Sequence, residues 1–101
     1  ADRISVGPFE LDRASFEVRL AGTKLDLTSI EFKLLVMLIE KRGQILARED
    51  LLRDVWGYRN LAHSRTVDTH MRRLRAKLDE HAERIETVHG QGYRFRAEEH
   101  D

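Results

Sequence analysis

The chain has 101 residues, no cysteine and a formal net charge of zero. That length suits one domain with a modest core, and without cysteine there are neither disulfides nor thiolate metal sites. The longest apolar run, LLVMLI at 34–39, falls far short of the ~18 residues of a membrane-spanning helix. A soluble, cytoplasmic domain is the expectation. The chain starts at Ala1 rather than Met, as a piece of a longer protein would.

Zero net charge speaks against a nucleic-acid binder until the charges are placed. Residues 65–78 carry five basic side chains (Arg65, Arg72, Arg73, Arg75, Lys77) against one acid, Asp68, whereas 79–101 carry three against seven. Arginine outnumbers lysine fourteen to four over the whole chain, so the signal is the placement of the arginines and not their number.

Residues 1–27 predict a small antiparallel sheet. ISVGPFEL, ASFEVRL and TKLDL alternate or are rich in strand formers, with turns at DR and AG. Pro8 suits an edge strand or a bulge. At residue 28 the period changes. Thr28 and Glu31 spell a capping box, Leu27 and Phe32 a hydrophobic staple, and the helix that follows is apolar over much of its circumference. Gly43 suits the C′ position of that helix. A shorter helix is expected in AREDLLRDVW, with Leu51, Leu52, Val55 and Trp56 on its apolar face and Gly57 at its end. Ala47 stands where a capping side chain would serve and offers none.

After the loop GYRNLAHS, Ser64 offers an N-cap to a third helix, RTVDTHMRRLRAKLD. Val67, Met71, Leu74 and Leu78 form one buried stripe. The opposite side carries Arg65, Thr69, Arg72, Arg73 and Ala76, a basic front with two small residues among the arginines. IETVHGQGYRFR then predicts a hairpin, with Gly90 and Gly92 permitting positive φ at its turn. A phosphate-cradling glycine loop needs a helix after it, and here a strand-like triplet follows. The helical core spans 28–80 and the hairpin 85–96, giving an α+β chain of one domain over 1–101.

A helix pair whose second member shows arginines to solvent suits a DNA major groove. Arginine can bond guanine O6 and N7 together, and Thr69 and Ala76 keep the face low enough for close approach. Arg65 and Arg72 suit phosphates. Asp68 could fix Arg72 or Arg75 one or two turns on. Tyr93 and Phe95 read as core residues of the hairpin, with the Tyr93 hydroxyl free for a phosphate. A solvated face that binds nothing is the bland alternative. The five histidines lack compact metal-ligand spacing, and Asp79, Glu80, Glu83 and Glu86 read as a solvated helix end with no nucleophile–base pairing. Neither a metal, a cofactor nor an enzyme is expected.

The segments TSIEFKLLVMLIEKRGQIL, REDLLRDVWG, SRTVDTHMRRLRAKL and IETVHGQGYRF, in that order, resemble the winged-helix effector domain of OmpR/PhoB-type response regulators. The resemblance implies a winged helix-turn-helix whose third helix is the recognition helix and whose terminal hairpin is the wing, along the minor groove. It implies base-facing Thr66, Thr69 and Arg73. Arg65, Arg72 and Arg75 would face phosphates, with Trp56, Thr87 and Tyr93 as further backbone contacts. His89 stands at the wing tip, where such domains often carry arginine. Tyr58, Arg59 and Asn60 fall in the loop such proteins offer to RNA polymerase. It further implies an N-terminal receiver domain phosphorylated on aspartate, and head-to-tail dimers on direct repeats. A winged-helix module for protein contacts, without base-specific DNA binding, is the alternative.

Overall fold

The computed structural model describes residues 2–57 and 64–97, and of Ser64 the backbone alone. Strands β1 (Arg3–Val6), β2 (Phe9–Asp12), β3 (Glu17–Leu20) and β4 (Thr23–Lys24) form an antiparallel meander in chain order. Alternation puts Val6, Phe9, Leu11, Val18 and Leu20 on the buried face. Pro8 lies neither in an edge strand nor at a bulge. It forms with Gly7 the two-residue turn between the paired Val6 and Phe9, where Gly7 supplies a φ of +55°. The third strand is shorter than expected, because Ala14, Ser15 and Phe16 belong to a turn in which Phe16 has a φ of +59°. TKLDL contributes strand only at Thr23–Lys24.

Helix α1 (Ser29–Glu40) starts as its capping box predicts. The Thr28 hydroxyl accepts from the Glu31 amide at 3.2 Å, and Glu31 Oε1 accepts from the Thr28 amide at 2.9 Å. Phe32, Leu34, Leu35, Leu38 and Ile39 are buried on it. The helix caps at Lys41, so Gly43 falls one position beyond C′. There its amide donates to the Phe95 carbonyl at 3.0 Å. Helix α2 (Arg48–Leu51) starts after Ala47, which makes no side-chain cap bond. It continues into a π-helical turn, Leu52–Trp56, which ends at Gly57 in the left-handed conformation. Helix α3 (Ser64–Leu78) buries Val67, Met71, Leu74 and Leu78 completely, as its period predicts. The cap expected from Ser64 lies outside the described side chains. Asp79, with a φ of +53°, turns the chain into a 3-10 helix, Asp79–Arg84.

Strands β5 (Ile85–Val88) and β6 (Gly92–Phe95) pair as a hairpin. Its root joins the α1–α2 connection, where Leu46 and Tyr93 exchange both backbone bonds at 2.7 and 3.0 Å. Gly90, at φ +76°, makes the turn, but Gly92 serves a different end. A Cβ on Gly92 would lie 2.0 Å from the Leu46 carbonyl oxygen. Only glycine lets the two backbones approach so closely. The N-terminal sheet reaches the same hairpin through an edge-to-face contact of Phe9 and Phe95, 5.3 Å between centroids. Arg84, only 4% exposed, donates from one guanidinium nitrogen to the Arg96 and Ala97 carbonyls at 2.7 and 2.6 Å. Its Nε has no hydrogen-bond partner among the described residues.

Candidate nucleic-acid interface

The buried stripe of α3 fixes which of its side chains face outward. Arg65, Arg72, Arg73, Ala76 and Lys77 are exposed, and Thr66, Asp68, Thr69, His70 and Arg75 are half-buried beside them. Arg65, Arg72 and Arg73 make no hydrogen bond or ion pair with any described residue. Among the described residues, therefore, none of the three guanidinium groups is held by a direct bond. Lys77 points elsewhere, donating to Glu31 Oε1 at 2.7 Å and joining the end of α3 to the start of α1. Burial would raise the Glu31 carboxyl, but the bond from Lys77, the Thr28 amide and the ammonium charge outweigh it and hold the group below its usual range.

Trp56, half-buried at the end of the π turn, meets the His70 ring edge-on at 5.1 Å. His70 Nδ1 donates to the Thr66 carbonyl at 2.9 Å, because a carbonyl can only accept. That bond fixes the ring and leaves its other nitrogen as the free end. Thr87 and the wing-tip His89 are exposed. The turn beneath His89 closes through a bond from the Gln91 amide to the Val88 carbonyl at 2.9 Å. Tyr58, Arg59, Asn60 and His63 lie outside the described residues.

Two expectations change. Asp68 does not bond Arg72 or Arg75. Its Oδ1 accepts from Arg48 Nε at 2.7 Å and from the Tyr93 hydroxyl at 2.5 Å, joining α2, α3 and β6 at one oxygen. Tyr93, in turn, is only 3% exposed, and its hydroxyl is not free. A hydroxyl has one proton, and this one is already given to Asp68. The guanidinium carbons of Arg48 and Arg75 lie 5.3 and 5.5 Å from the centroid of the Tyr93 ring, within cation–π range. Arg75 also donates to the Ile85 carbonyl at 2.9 Å, so part of its donor set holds the wing to the helix. Burial would raise the Asp68 carboxyl, but the bonds from Tyr93 and Arg48 and the charges of Arg48 and Arg72 lower it. Burial and the Asp68 bond raise the Tyr93 hydroxyl. Asp68 is a carboxylate and Tyr93 a phenol at neutral pH.

Sequence reading passed over Arg48, although a signal was present. A cation in the first turn of a helix opposes the helix dipole and needs a compensating partner. Arg48 is the first residue of α2, and Asp68 is that partner. Arg84 gave no comparable signal, because its partners are backbone carbonyls.

Among the described residues no group of three or more His, Asp or Glu is placed to hold a metal ion. Among them, too, no helix is long and apolar enough to cross a membrane. The family described as "Transcriptional regulatory protein, C terminal" matches residues 22–95. The DNA-binding response regulator MtrA of Mycolicibacterium smegmatis is 41% identical over 97 residues, which cover 93% of this chain and 42% of that protein. The chain thus spans less than half the length of this relative. The Klebsiella pneumoniae RstA DNA-binding domain, solved in complex with the RstA box, superposes with a TM-score of 0.88 at 35% identity, covering 97% of this chain and all of that one. The DNA-binding domain of CpxR from E. coli gives a TM-score of 0.85 at 30% identity, with 97% and 100% covered. The meander, the three helices and the terminal hairpin are those of a winged helix, and the chain belongs to the C-terminal effector domains of OmpR/PhoB-type transcriptional regulatory proteins.

Proposed function

We propose that the chain binds double-stranded DNA sequence-specifically, as the transcription-regulating output domain of a two-component response regulator. One observation carries this reading. The basic front of α3 presents three arginines with no hydrogen bond or ion pair among the described residues, on a helix whose back is fully buried and whose flank is braced by a hairpin. The likeness to a domain solved on its DNA box supports it. In this reading α3 enters the major groove, with Arg73, Thr66 and Thr69 toward base edges. Arg65, Arg72, Arg75, Trp56 and Thr87 face phosphates. Tyr93 would have to release Asp68 to donate to a phosphate, so we assign it to positioning. His89, at the exposed wing tip, approaches the minor groove.

The further parts of the reading concern the longer protein: a receiver domain before this one, head-to-tail dimers on direct repeats, a cytoplasmic location and RNA polymerase as partner. The domain acts by binding and not as an enzyme. Selection from a random duplex pool tests the central claim. The selected site should be preferred over scrambled duplex by ~10³ or more. Equal affinity for both would leave the protein-contact module as the better reading. The polymerase contact has its own test. Substituting Tyr58, Arg59 or Asn60 should spare DNA affinity and reduce transcription activation; a parallel fall in affinity would make that loop a docking element.

A further inference from the structure

We infer that Arg48 is a positioning residue of the reading surface, acting on DNA through Asp68 and not through a phosphate. The inference rests on the DNA-binding reading above. Asp68 is the single acid of α3, set among Arg65, Arg72, Arg73 and Arg75. Its side chain is 43% exposed, so its charge is open to whatever approaches the helix. A bare carboxylate on this face would repel the phosphates that the arginines attract. Arg48 cancels that charge at 2.7 Å.

Arg48 holds this place against two unfavourable terms. It occupies the first turn of α2, where the helix dipole disfavours a cation. It also shares the Tyr93 ring with a second cation, Arg75. The Asp68 carboxylate and the Tyr93 ring favour it there. Its Nε is used by Asp68, the oxygen that also receives the Tyr93 hydroxyl. One carboxylate oxygen therefore registers the second helix and the wing against the recognition helix, and one guanidinium keeps that oxygen from counting as a negative charge.

The consequence is a coupling: Asp68→Asn should raise affinity far more in the Arg48→Gln background than in wild type, which two independent contacts would not give. Arg48→Gln uncovers Asp68 and should weaken binding to a duplex selected with the wild-type protein about tenfold. Asp68→Asn removes the charge yet keeps an oxygen for Tyr93. In the Arg48→Gln/Asp68→Asn double variant, affinity should return to within about threefold of wild type. Because repulsion from an uncovered carboxylate is screened by salt, the loss in Arg48→Gln should shrink as salt rises, and in the double variant the salt slope should return to that of wild type. The measurement is fluorescence anisotropy at several salt concentrations, with thermal unfolding of each variant alongside. Arg48→Lys keeps a cation opposite Asp68 should Arg48→Gln fold poorly, and it should bind within about threefold of wild type. A double variant as weak as Arg48→Gln, or a tenfold loss in Arg48→Lys that Asp68→Asn leaves in place, overturns the inference. Wild type serves as the control on the underlying reading: if it prefers no duplex, DNA recognition itself fails, and the role of Arg48 is not what failed.

Discussion

Helix α3 is held near each end by a carboxylate and a cation, and the two pairs sit in different surroundings. Toward its C-terminus, Lys77 donates to Glu31, whose side chain is 3% exposed and which also accepts the Thr28 amide. In its first half, Asp68 is 43% exposed and takes Arg48 and the Tyr93 hydroxyl. The Glu31 carboxylate lies inside the protein, with Lys77 reaching it from the surface, and it serves the architecture, since it both begins α1 and anchors α3. The Asp68 pair lies open on the side of the exposed arginines. A buried carboxylate that loses its cation is left as a stranded charge, whereas an exposed pair contributes little to stability. What an exposed pair can set is the charge an approaching ligand meets. The same chemistry thus fixes a helix at one end and tunes it at the other.

The seat of the wing is the most sensitive point of this frame. Gly92→Ala should cost ~3 kcal/mol or more, because its Cβ would collide with the Leu46 carbonyl. Gly90→Ala, whose Cβ meets nothing within 4 Å, should cost only the ~1–2 kcal/mol of a left-handed residue. Urea denaturation distinguishes them, and equal losses would show that Leu46 yields and that β6 is not seated against it.

Breaking the Glu31–Lys77 pair comes next. Glu31→Ala should cost about 2–3 kcal/mol, through the lost Lys77 bond and half of the capping box. Asp68→Asn should cost less than about 1 kcal/mol. The reverse order would invalidate the division into an architectural and a tuning end. Acid sharpens the same contrast. The folded-state carboxyl of Glu31 is lowered, so its contribution is complete above the unfolded value of ~4.3 and is lost as pH falls through the lower folded value. Wild type should therefore lose its advantage over Glu31→Gln below about pH 4. An advantage that persists unchanged at pH 3 would mean that the carboxylate charge is not what stabilises.

On the open side, Arg73→Ala should weaken specific binding by ~1–3 kcal/mol and relax preference at one base pair. Arg72→Ala should weaken all duplexes alike and lower the salt slope by about one unit. Equal loss on specific and scrambled DNA would move Arg73 to the phosphate set, and an unchanged slope would remove Arg72 from it.

The smallest effect concerns the uncapped helix that carries Arg48. Ala47→Ser should stabilise the fold by about 1 kcal/mol, because Ala47 occupies the N-cap with extended backbone and makes no side-chain bond. No gain in chemical denaturation would mean that the first amides of α2 are already satisfied.

The sequence by itself determined whatever depends on near neighbours along the chain. The capping box of Thr28 and Glu31 needs three residues. The apolar stripe of α3 needs only the helical period, and that stripe alone decides which arginines face outward. The hairpin follows from strand formers on either side of a glycine turn. Tertiary structure decided the partners. Arg48 and Asp68 are 20 residues apart, Tyr93 and Asp68 25, Lys77 and Glu31 46. Helical spacing offered Asp68 two arginines on its own helix, and packing gave it one on another. The two glycines of HGQGYRF look equivalent in the sequence, yet one turns the chain and the other makes room for Leu46. The physical reason is the same in each case. Local periodicity fixes the direction in which a side chain leaves its own element, but what it meets there depends on where a distant element has been brought by the common core.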